Sequence, residues 1–294
     1  MNKQFIYIIC IAMFCINLFS GSANAIKIGL STDKSEIWTG TSVKGVITDV
    51  NTDKPICVLD PMVSYRLRPV RNGIEITIKK QKYNLGSNSV RIKPYSEGFV
   101  STKNKWYRGS LIVNNSGGGL TVINDIKLED YLLGVVPSEM PSSWSEEALK
   151  AQAIAARSYA VANLGKNKSR GFDLKDNTED QAYGGASCET EKTNKVVAET
   201  YGIVVTQNKQ VITAYYCASA GGQTVNSGNV WYKDMPYLQS VPSLDDNIKK
   251  MGHGVGMSQH GANNLAKLGY NAYQILAYYY KDIKFGKLSK NWNL

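Results

Sequence analysis

Glu139 lies in Pro137-Ser-Glu-Met-Pro141, a carboxylate between two prolines and directly ahead of a long alanine-rich stretch. Proline fixes its own φ and pushes the preceding residue away from helical backbone, so the spacing predicts a short, stiff turn that holds the carboxylate still. Such placement suits an acid or base catalyst. Lys150 and Arg157 follow seven positions apart, on one side of the helix that the alanine pattern predicts. Other chemistries are poorly supplied. The chain has only two histidines, His253 and His260, and contains neither HExxH nor GxSxG, which leaves protease and lipase readings weak. Cys and His do not recur at zinc-ligand spacings. Gly252, Gly254 and Gly256 are not followed by Lys-Ser/Thr and open no βαβ unit, so phosphate-loop and dinucleotide readings also fall away.

A carboxylate with hydrogen-bonding and aromatic residues is an inventory for carbohydrate chemistry. Breaking a glycosidic bond needs a proton on the leaving oxygen, and a glutamate whose pKa is lifted by apolar neighbours can carry it near neutral pH. Leu132, Val135, Val136, Met140 and Trp144 are such neighbours in sequence. A conventional hydrolase needs a second carboxylate; attack by a hydroxyl of the sugar itself needs only one. On the residues alone two readings stay open, catalysis and a glutamate placed at a helix start for the helix dipole. The same holds for Lys150 and Arg157, which read equally as groove cations or as a solvated basic edge.

The elements that must position these residues change character along the chain. Ile26–Leu30, Val43–Thr48, Ile74–Lys79, Ser89–Lys93 and Gly109–Val113 alternate apolar and polar residues, as half-buried strands do. Asn114-Asn-Ser-Gly-Gly-Gly119 predicts a hairpin between Leu111–Val113 and Leu120–Ile123. From Ser142 the period becomes helical: Ser143 with Glu146 has the capping-box spacing, and Leu149, Ala153, Ala156 and Ala160 share one face as far as about Leu164-Gly165. An alanine stripe lets neighbours come close, which places this helix inside the core. Residues 165–188 read as a polar loop, Thr190–Tyr201 as a helix stopped by Gly202, and Ile203–Thr206 with Val211–Cys217 as a hairpin. The Gly252–Gln259 segment reads as a loop or interrupted strand, Ser258–Lys267 as a helix, and Asn271 with Gln274 as the cap of a last helix in which Tyr279 and Tyr280 pack. The expectation is an α+β protein, a β-rich N-terminal region (26–105) followed by a mixed helix and antiparallel-sheet domain (106–286) and a short tail (287–294).

Residues 1–25 differ from the rest. Lys3 precedes an apolar run from Phe5 to Phe19 that is short for a membrane span, and Ser22-Ala-Asn-Ala25 has the form of a signal-peptidase site. A secretory signal cut before Ile26 is expected, with an uncleaved anchor at the outer face of the cytoplasmic membrane as the alternative. The formal charge of +10, or +9 without that segment, fits an anionic cell wall better than nucleic acid for a secreted chain; on charge alone it also fits a merely soluble lysine-rich surface. At 43% hydrophobic and 20% charged residues the chain is globular, not disordered. Cys57, Cys188 and Cys217 outlast the signal, an odd number that makes no disulfide framework; a Cys188–Cys217 bridge and free buried thiols are the options, the second expected.

Eight ordered motifs carry a further likeness. Trp106-Tyr-Arg-Gly109, Leu120-Thr-Val-Ile-Asn124, Leu128-Glu-Asp-Tyr-Leu132, Gly134-Val-Val-Pro-Ser-Glu-Met-Pro141, Ala151-Gln-Ala-Ile-Ala-Ala-Arg-Ser-Tyr159, Gln181-Ala-Tyr-Gly184, Ser219-Ala-Gly-Gly222 and Gly252-His-Gly-Val-Gly-Met-Ser-Gln-His-Gly261 together resemble the SpoIID/LytB family of stage II sporulation protein D and amidase-enhancer proteins, over roughly residues 106–286. The resemblance implies a peptidoglycan lytic transglycosylase that cuts MurNAc–GlcNAc bonds of glycan strands stripped of stem peptides and leaves 1,6-anhydro-MurNAc ends. It implies Glu139 as the catalytic residue, Lys150 and Arg157 as cations important to the activity, and His253, Ser258 and Gln259 as groove residues. For His253 a second role, ordering a glycine-rich loop, stays open.

Departures from the family pattern also count. Asp173–Asp180 stands where many sporulation members have paired cysteines, and Cys217 where a histidine is common, so no zinc and no other cofactor is expected. The segment between Leu238 and Gly252 is short for the family. Implied partners are glycan strands and a cell-wall amidase. A non-catalytic glycan-binding enhancer of an N-acetylmuramoyl-L-alanine amidase is the competing reading.

Overall fold

A computed structural model describes residues 25–231 and 233–289. The expected signal lies outside them apart from Ala25, and the tail lies outside them from residue 290. Twelve strands come first: β1 (Ala25–Lys34), β2 (Ile37–Thr41), β3 (Gly45–Asp49), β4 (Pro55–Leu59), β5 (Tyr65–Val70), β6 (Gly73–Ile78), β7 (Gln81–Asn84), β8 (Ser89–Pro94), β9 (Val100–Thr102), β10 (Lys105–Tyr107), β11 (Ser110–Asn115) and β12 (Leu120–Lys127). Helices then take over, with α1 (Leu128–Glu139), α2 (Glu146–Ala162), β13 (Leu174–Lys175), α3 (Glu191–Glu199), β14 (Ile203–Gln207), β15 (Gln210–Val211), β16 (Tyr216–Cys217), β17 (Met257–Ser258), α4 (Gln259–Lys267), α5 (Ala272–Tyr279) and β18 (Lys284–Lys287).

The fold is α+β, as the patterns predict. A seven-stranded sheet runs β13-β1-β12-β11-β8-β3-β4, and a six-stranded sheet runs β10-β9-β2-β5-β6-β7. The expected boundary at residue 105 falls inside β10, and the larger sheet draws strands from both sides of it, so the two regions share one framework. The β11–β12 hairpin forms around the predicted glycine turn, pairing Asn115 with Leu120. β12 is buried at nearly every position because both faces are covered: Leu120, Val122 and Ile126 join the main core, while Ile123 meets Ile112 and Phe172 behind the sheet. Burial on both faces extends to its polar residues Thr121 and Asn124.

β12 passes directly into α1, which corrects the first local expectation. Glu139 is not on a turn ahead of a helix; it is the last residue of a twelve-residue helix that contains Pro137. Leu128, Tyr131, Leu132, Val135 and Val136 recur at helical spacing and are all buried, and that burial outweighs the single backbone hydrogen bond the proline removes. Ser138 Oγ donates to the Gly134 carbonyl at 2.7 Å, and the Met140 N–H closes the end on Val136 O at 3.0 Å.

The alanine helix is confirmed as the centre of the core. Twelve of the seventeen α2 residues are buried, with α1, α3, α4, α5 and β14 packed around it. Its predicted capping box does not form: the helix starts three residues after Ser143, and Ser145, the N-cap, makes no side-chain cap but donates its N–H to Asn263 Oδ1 at 3.0 Å. Tertiary contact has replaced the local cap. The boxes at Thr190/Thr193 and Asn271/Gln274 do form. The predicted second hairpin is shorter than expected: β15 ends at Val211, and Tyr216-Cys217 instead pairs in parallel with Met257-Ser258. β18, unmarked by any alternation, closes a small sheet beside β14. Cys57, Cys188 and Cys217 are free thiols.

Gly134 shows how tightly α1 is seated. A Cβ there would lie 2.6 Å from the Tyr183 ring and 2.8 Å from the Gly185 carbonyl. Gly134→Ala gains about 1 kcal/mol of helix propensity but forces a backbone carbonyl to move, at roughly 1–3 kcal/mol for overpacking. The expected outcome is net destabilisation, read as a lower urea midpoint with an unchanged slope.

Candidate active site

The end of α1 delivers Glu139 to the floor of a cleft of about 600 Å³. Its Oε1 accepts the Ala182 N–H at 2.7 Å and the Tyr216 hydroxyl at 3.2 Å, and its Oε2 lies 3.5 Å from Gln259 Nε2. Burial raises the Glu139 pKa above its usual value, and the three hydrogen bonds only partly offset it. The C-terminal end of a helix, where carbonyls point at the carboxylate, works in the same direction. Every donor to Glu139 is neutral, and none of its ion-pairing distances reaches a cation among the described residues. This is an environment that favours the protonated acid.

Those donors are themselves fixed. Tyr216 accepts from Gln181 Nε2 at 3.0 Å, and Gln181 also donates to the Ala156 carbonyl of α2 at 3.2 Å and accepts from Tyr131 of α1 at 3.3 Å. Gln259, first residue of α4, lies 3.4 Å from Gln152 Oε1, and Gln152 is fully buried on α2 with its Nε2 unpartnered.

Aromatic rings form one wall of the cleft. Tyr215 packs on Trp231 with centroids 4.4 Å apart, and His253 meets both edge-on at 5.8 and 5.1 Å. His253 Nδ1 accepts the Val255 N–H at 3.0 Å, which leaves the ring proton on Nε2. Burial, helped by Lys250, lowers the His253 pKa, so the ring is neutral at neutral pH. Gly252, Gly254 and Gly256 all adopt positive φ (92°, 76° and 75°), and a Cβ on Gly256 would sit 2.0 Å from the Tyr215 carbonyl. The glycine spacing is therefore what lets this loop press against Tyr215. His253 lines the cleft and, through the Val255 N–H, orders its own loop.

The opposite wall comes from the 165–188 segment. Asp180 accepts from the Lys175 N–H at 2.8 Å, the Tyr159 hydroxyl at 3.1 Å and Lys166 Nζ at 2.5 Å. Glu179, also on the rim, is salt-bridged to Lys175. Each further carboxylate is thus committed to a local partner. No group of three His, Cys, Asp or Glu side chains among the described residues is placed to hold a metal ion.

Of the residues singled out in the sequence, His253 and Gln259 join Glu139 in the cleft. Ser258 does not: fully buried, it caps α4 by accepting the Gly261 N–H and donates to Asp245 Oδ2 at 2.5 Å. Burial alone would raise Asp245, but hydrogen bonds from Ser258, the Gly222 and Ala220 N–H groups and Ser243 hold it at about 2. Lys150 bridges Glu147 and Glu199 at 3.0 and 2.9 Å. Arg157 is fully buried, donating to both Glu129 oxygens at 2.8 and 2.7 Å and to the Ile203 carbonyl at 3.2 Å. Glu129 and Glu139 are ten residues apart on α1, about 15 Å of helix rise, so Arg157 is tied to the far end of that helix.

Several cleft residues escaped the sequence reading. Tyr215 and Tyr216 were part of an expected strand, while Asp180 and Lys166 lay in an expected loop. Gln152 and Gln181 stood in quoted motifs without a role. The buried glutamines offered the one available signal, since a Gln in an alanine stripe must find a partner.

Residues 116–207 match the family model SpoIID, described as stage II sporulation protein. An uncharacterized protein of Brachyspira hyodysenteriae is 32% identical over 231 residues, 74% of this chain and 62% of that one. The amidase enhancer of Bacillus subtilis is 44% identical over 164 residues, 54% of this chain and 22% of its own length. The stage II sporulation protein D of the same organism is 38% identical over 136 residues, 41% of this chain and 40% of the other. The chain thus spans less than two thirds of the length of these relatives. The matched segment supplies α1, α2, Glu139 and its donor Ala182, while Tyr216, Gln259 and the aromatic wall lie beyond it. Residues 116–207 thus match the SpoIID family, and an amidase enhancer and a stage II sporulation protein D are among the proteins this chain is similar to.

The Arg157 geometry predicts its own mutational outcome. Arg157→Ala strands Glu129 in a partly buried site and is expected to cost roughly 3–5 kcal/mol. Lys150→Ala, at the surface, is expected to cost far less; paired urea denaturation curves measure the contrast.

Proposed function

We propose that this protein is a peptidoglycan lytic transglycosylase of the cell wall, acting on glycan strands freed of stem peptides. The observation that carries the reading is Glu139: a carboxyl with no ion-pair partner among the described residues, its pKa raised by burial, met only by neutral donors and facing an aromatic cleft. Its proton goes to the glycosidic oxygen between MurNAc C1 and GlcNAc O4, and the C1–O4 bond breaks with positive charge building on the MurNAc ring. The resulting Glu139 carboxylate takes the proton of the C6 hydroxyl as O6 bonds to C1. The products are a GlcNAc 4-hydroxyl and a 1,6-anhydro-MurNAc end; no water is consumed and Glu139 is again protonated.

A hydrolytic alternative needs a second free carboxylate. Asp180 and Glu179 are already held by Lys166, Tyr159 and Lys175, which favours the intramolecular route. Tyr215, Trp231 and His253 offer a face for a sugar ring, with neutral His253 adding an Nε2–H donor. Arg157 supports the site from behind by fixing α1 through Glu129, whereas Lys150 is paired with Glu147 and Glu199. The protein works outside the cytoplasmic membrane, released by its signal or held by it, in wall remodelling that includes sporulation, alongside an amidase that strips stem peptides.

The likeness to a protein named for enhancing an amidase supports a second reading, a glycan-binding enhancer without catalysis of its own. One experiment separates the two. Protein lacking residues 1–25 is incubated with amidase-treated strands and the products are read by mass spectrometry. Anhydro-muramyl ends are expected, with Glu139→Gln slowing their release by about 10²–10⁴-fold. Absence of such ends, or equal rates for the variant, sinks the catalytic reading in favour of the enhancer.

Two pH predictions follow from the direction of the Glu139 shift. Activity requires the protonated acid, so kcat/KM is expected to fall as pH rises through a value above the ordinary 4.5, and Glu139→Gln is expected to abolish that limb. For stability, a raised carboxyl pKa favours the fold fully at pH below the unfolded value and loses that contribution as pH rises through the folded one. Glu139→Gln is therefore expected to melt no lower than wild type at pH 7, and any advantage is expected to vanish by about pH 4; calorimetry at the two pH values reads this out.

A further inference from the structure

The positive charge of the chain is not spread evenly. Residues 26–105 hold 14 Lys and Arg against 7 Asp and Glu, net +7, whereas residues 106–289 hold 18 against 17, net +1. The cleft lies in the nearly neutral part, so catalysis does not account for the excess.

Part of it is arranged on one face of the six-stranded sheet. Register places Trp38 opposite Arg66, Arg66 opposite Thr77, and Thr77 opposite Lys82. The neighbouring row, Ile37, Leu67 and Ile76, is buried, so side-chain alternation turns the Trp38 row outward. It crosses four strands, about 14 Å at ordinary strand spacing. Trp38 is 51% exposed, a broad aromatic face left open to solvent. The Arg66 guanidinium carbon sits 6.0 Å from the indole centroid, and among the described residues Arg66 makes neither a salt bridge nor a side-chain hydrogen bond. The nearby acids are already engaged: Glu36 holds Arg68 at 2.5 Å and Glu75 holds Lys82 at 3.5 Å.

The β6–β7 turn adds two more cations at an energetic cost. Lys79 and Lys80 both take left-handed backbone, φ 47° and 69°, in a two-residue hairpin turn that normally selects Asn-Gly. The left-handed region is unfavourable for a side-chain-bearing residue, whose Cβ crowds the following carbonyl oxygen. Both lysines are exposed, and their charge is what the strained turn presents beside Lys82.

We propose that this face, Trp38-Arg66-Thr77-Lys82 with the Lys79-Lys80 turn, is a second binding surface that takes an anionic polysaccharide of the cell wall. The indole receives the C–H face of a sugar ring, Arg66 and the lysines receive its phosphate or carboxylate substituents, and Thr77 supplies a hydroxyl between them. The surface holds the enzyme on the wall while the cleft works on a neighbouring neutral strand. The proposal shares only the cell-wall setting with the catalytic reading, since it does not use Glu139.

The test uses full-length mature protein carrying Glu139→Gln, so that binding is measured without turnover. Probes are neutral dextran, carboxymethyl dextran, phosphorylated dextran, inorganic polyphosphate and phosphatidylglycerol vesicles. The two anionic dextrans are expected to bind with affinity that falls steeply with salt, and neutral dextran is expected not to bind; the tighter of the two names the substituent. Trp38→Ala is expected to weaken anionic dextran by roughly tenfold while leaving polyphosphate unchanged, and Arg66→Gln with Lys82→Gln is expected to weaken both. In the Glu139-bearing background the same variants are expected to release anhydro ends from soluble denuded strands at the wild-type rate. Equal binding of neutral dextran, tighter binding of vesicles, or unaltered dextran binding by the face variants overturns the proposal. Loss of anhydro-end formation in every protein would instead strike the catalytic reading and leave this one standing.

Discussion

Close packing around α2 is the constraint on which the site rests. Half of its buried positions are alanine, and α1, α3, α4, α5 and β14 pack around it, so that any added methylene is felt. Two long polar side chains stand among the alanines. Arg157 reaches the start of α1 through Glu129, and Gln152 reaches the start of α4 through Gln259. The helix thereby fixes both elements that meet at Glu139, one from each end.

The electrostatics follow from that packing. Glu139 emerges at the end of α1 with carbonyls behind it and only an amide N–H, a phenol and a carboxamide in front. A cation at the same point would stabilise the carboxylate and remove the acid. The arrangement instead keeps Lys166 occupied by Asp180 and Arg157 occupied by Glu129. Asp245 shows the opposite design in the same fold: the Ala220 and Gly222 N–H groups and the hydroxyls of Ser219, Ser243 and Ser258 hold it ionised. Hydrogen-bond count and kind, set against burial, separate the two carboxyls.

The Gly252–Gly256 loop couples the wall of the cleft to its floor. Its alternating glycines press on Tyr215 and carry His253 against Trp231, and the strand that follows pairs with Tyr216-Cys217. One short segment thus sets the aromatic face and, through Tyr216, a hydrogen bond to the acid.

By itself the sequence determined the elements whose signals are local. The period of two over residues 26–126, the glycine turn at 114–119, the alanine stripe and the caps at Thr190 and Asn271 all describe contacts within a few residues, and the structure contains them. Ordered motifs also identified Glu139 as the residue to watch. Tertiary structure alone decided what surrounds it. Its partners Ala182, Tyr216 and Gln259 lie 43, 77 and 120 residues away, and periodicity carries no information over such spans. The same limit misplaced Arg157: helical spacing put it on the side of Lys150, but the nearest carboxylate in space belongs to the first turn of α1. Pro137 misled for a related reason, because a local rule ended the helix where burial of Leu132, Val135 and Val136 continued it. A long-range partner is chosen by distance in the folded chain, and that distance exists only once the chain has closed on itself.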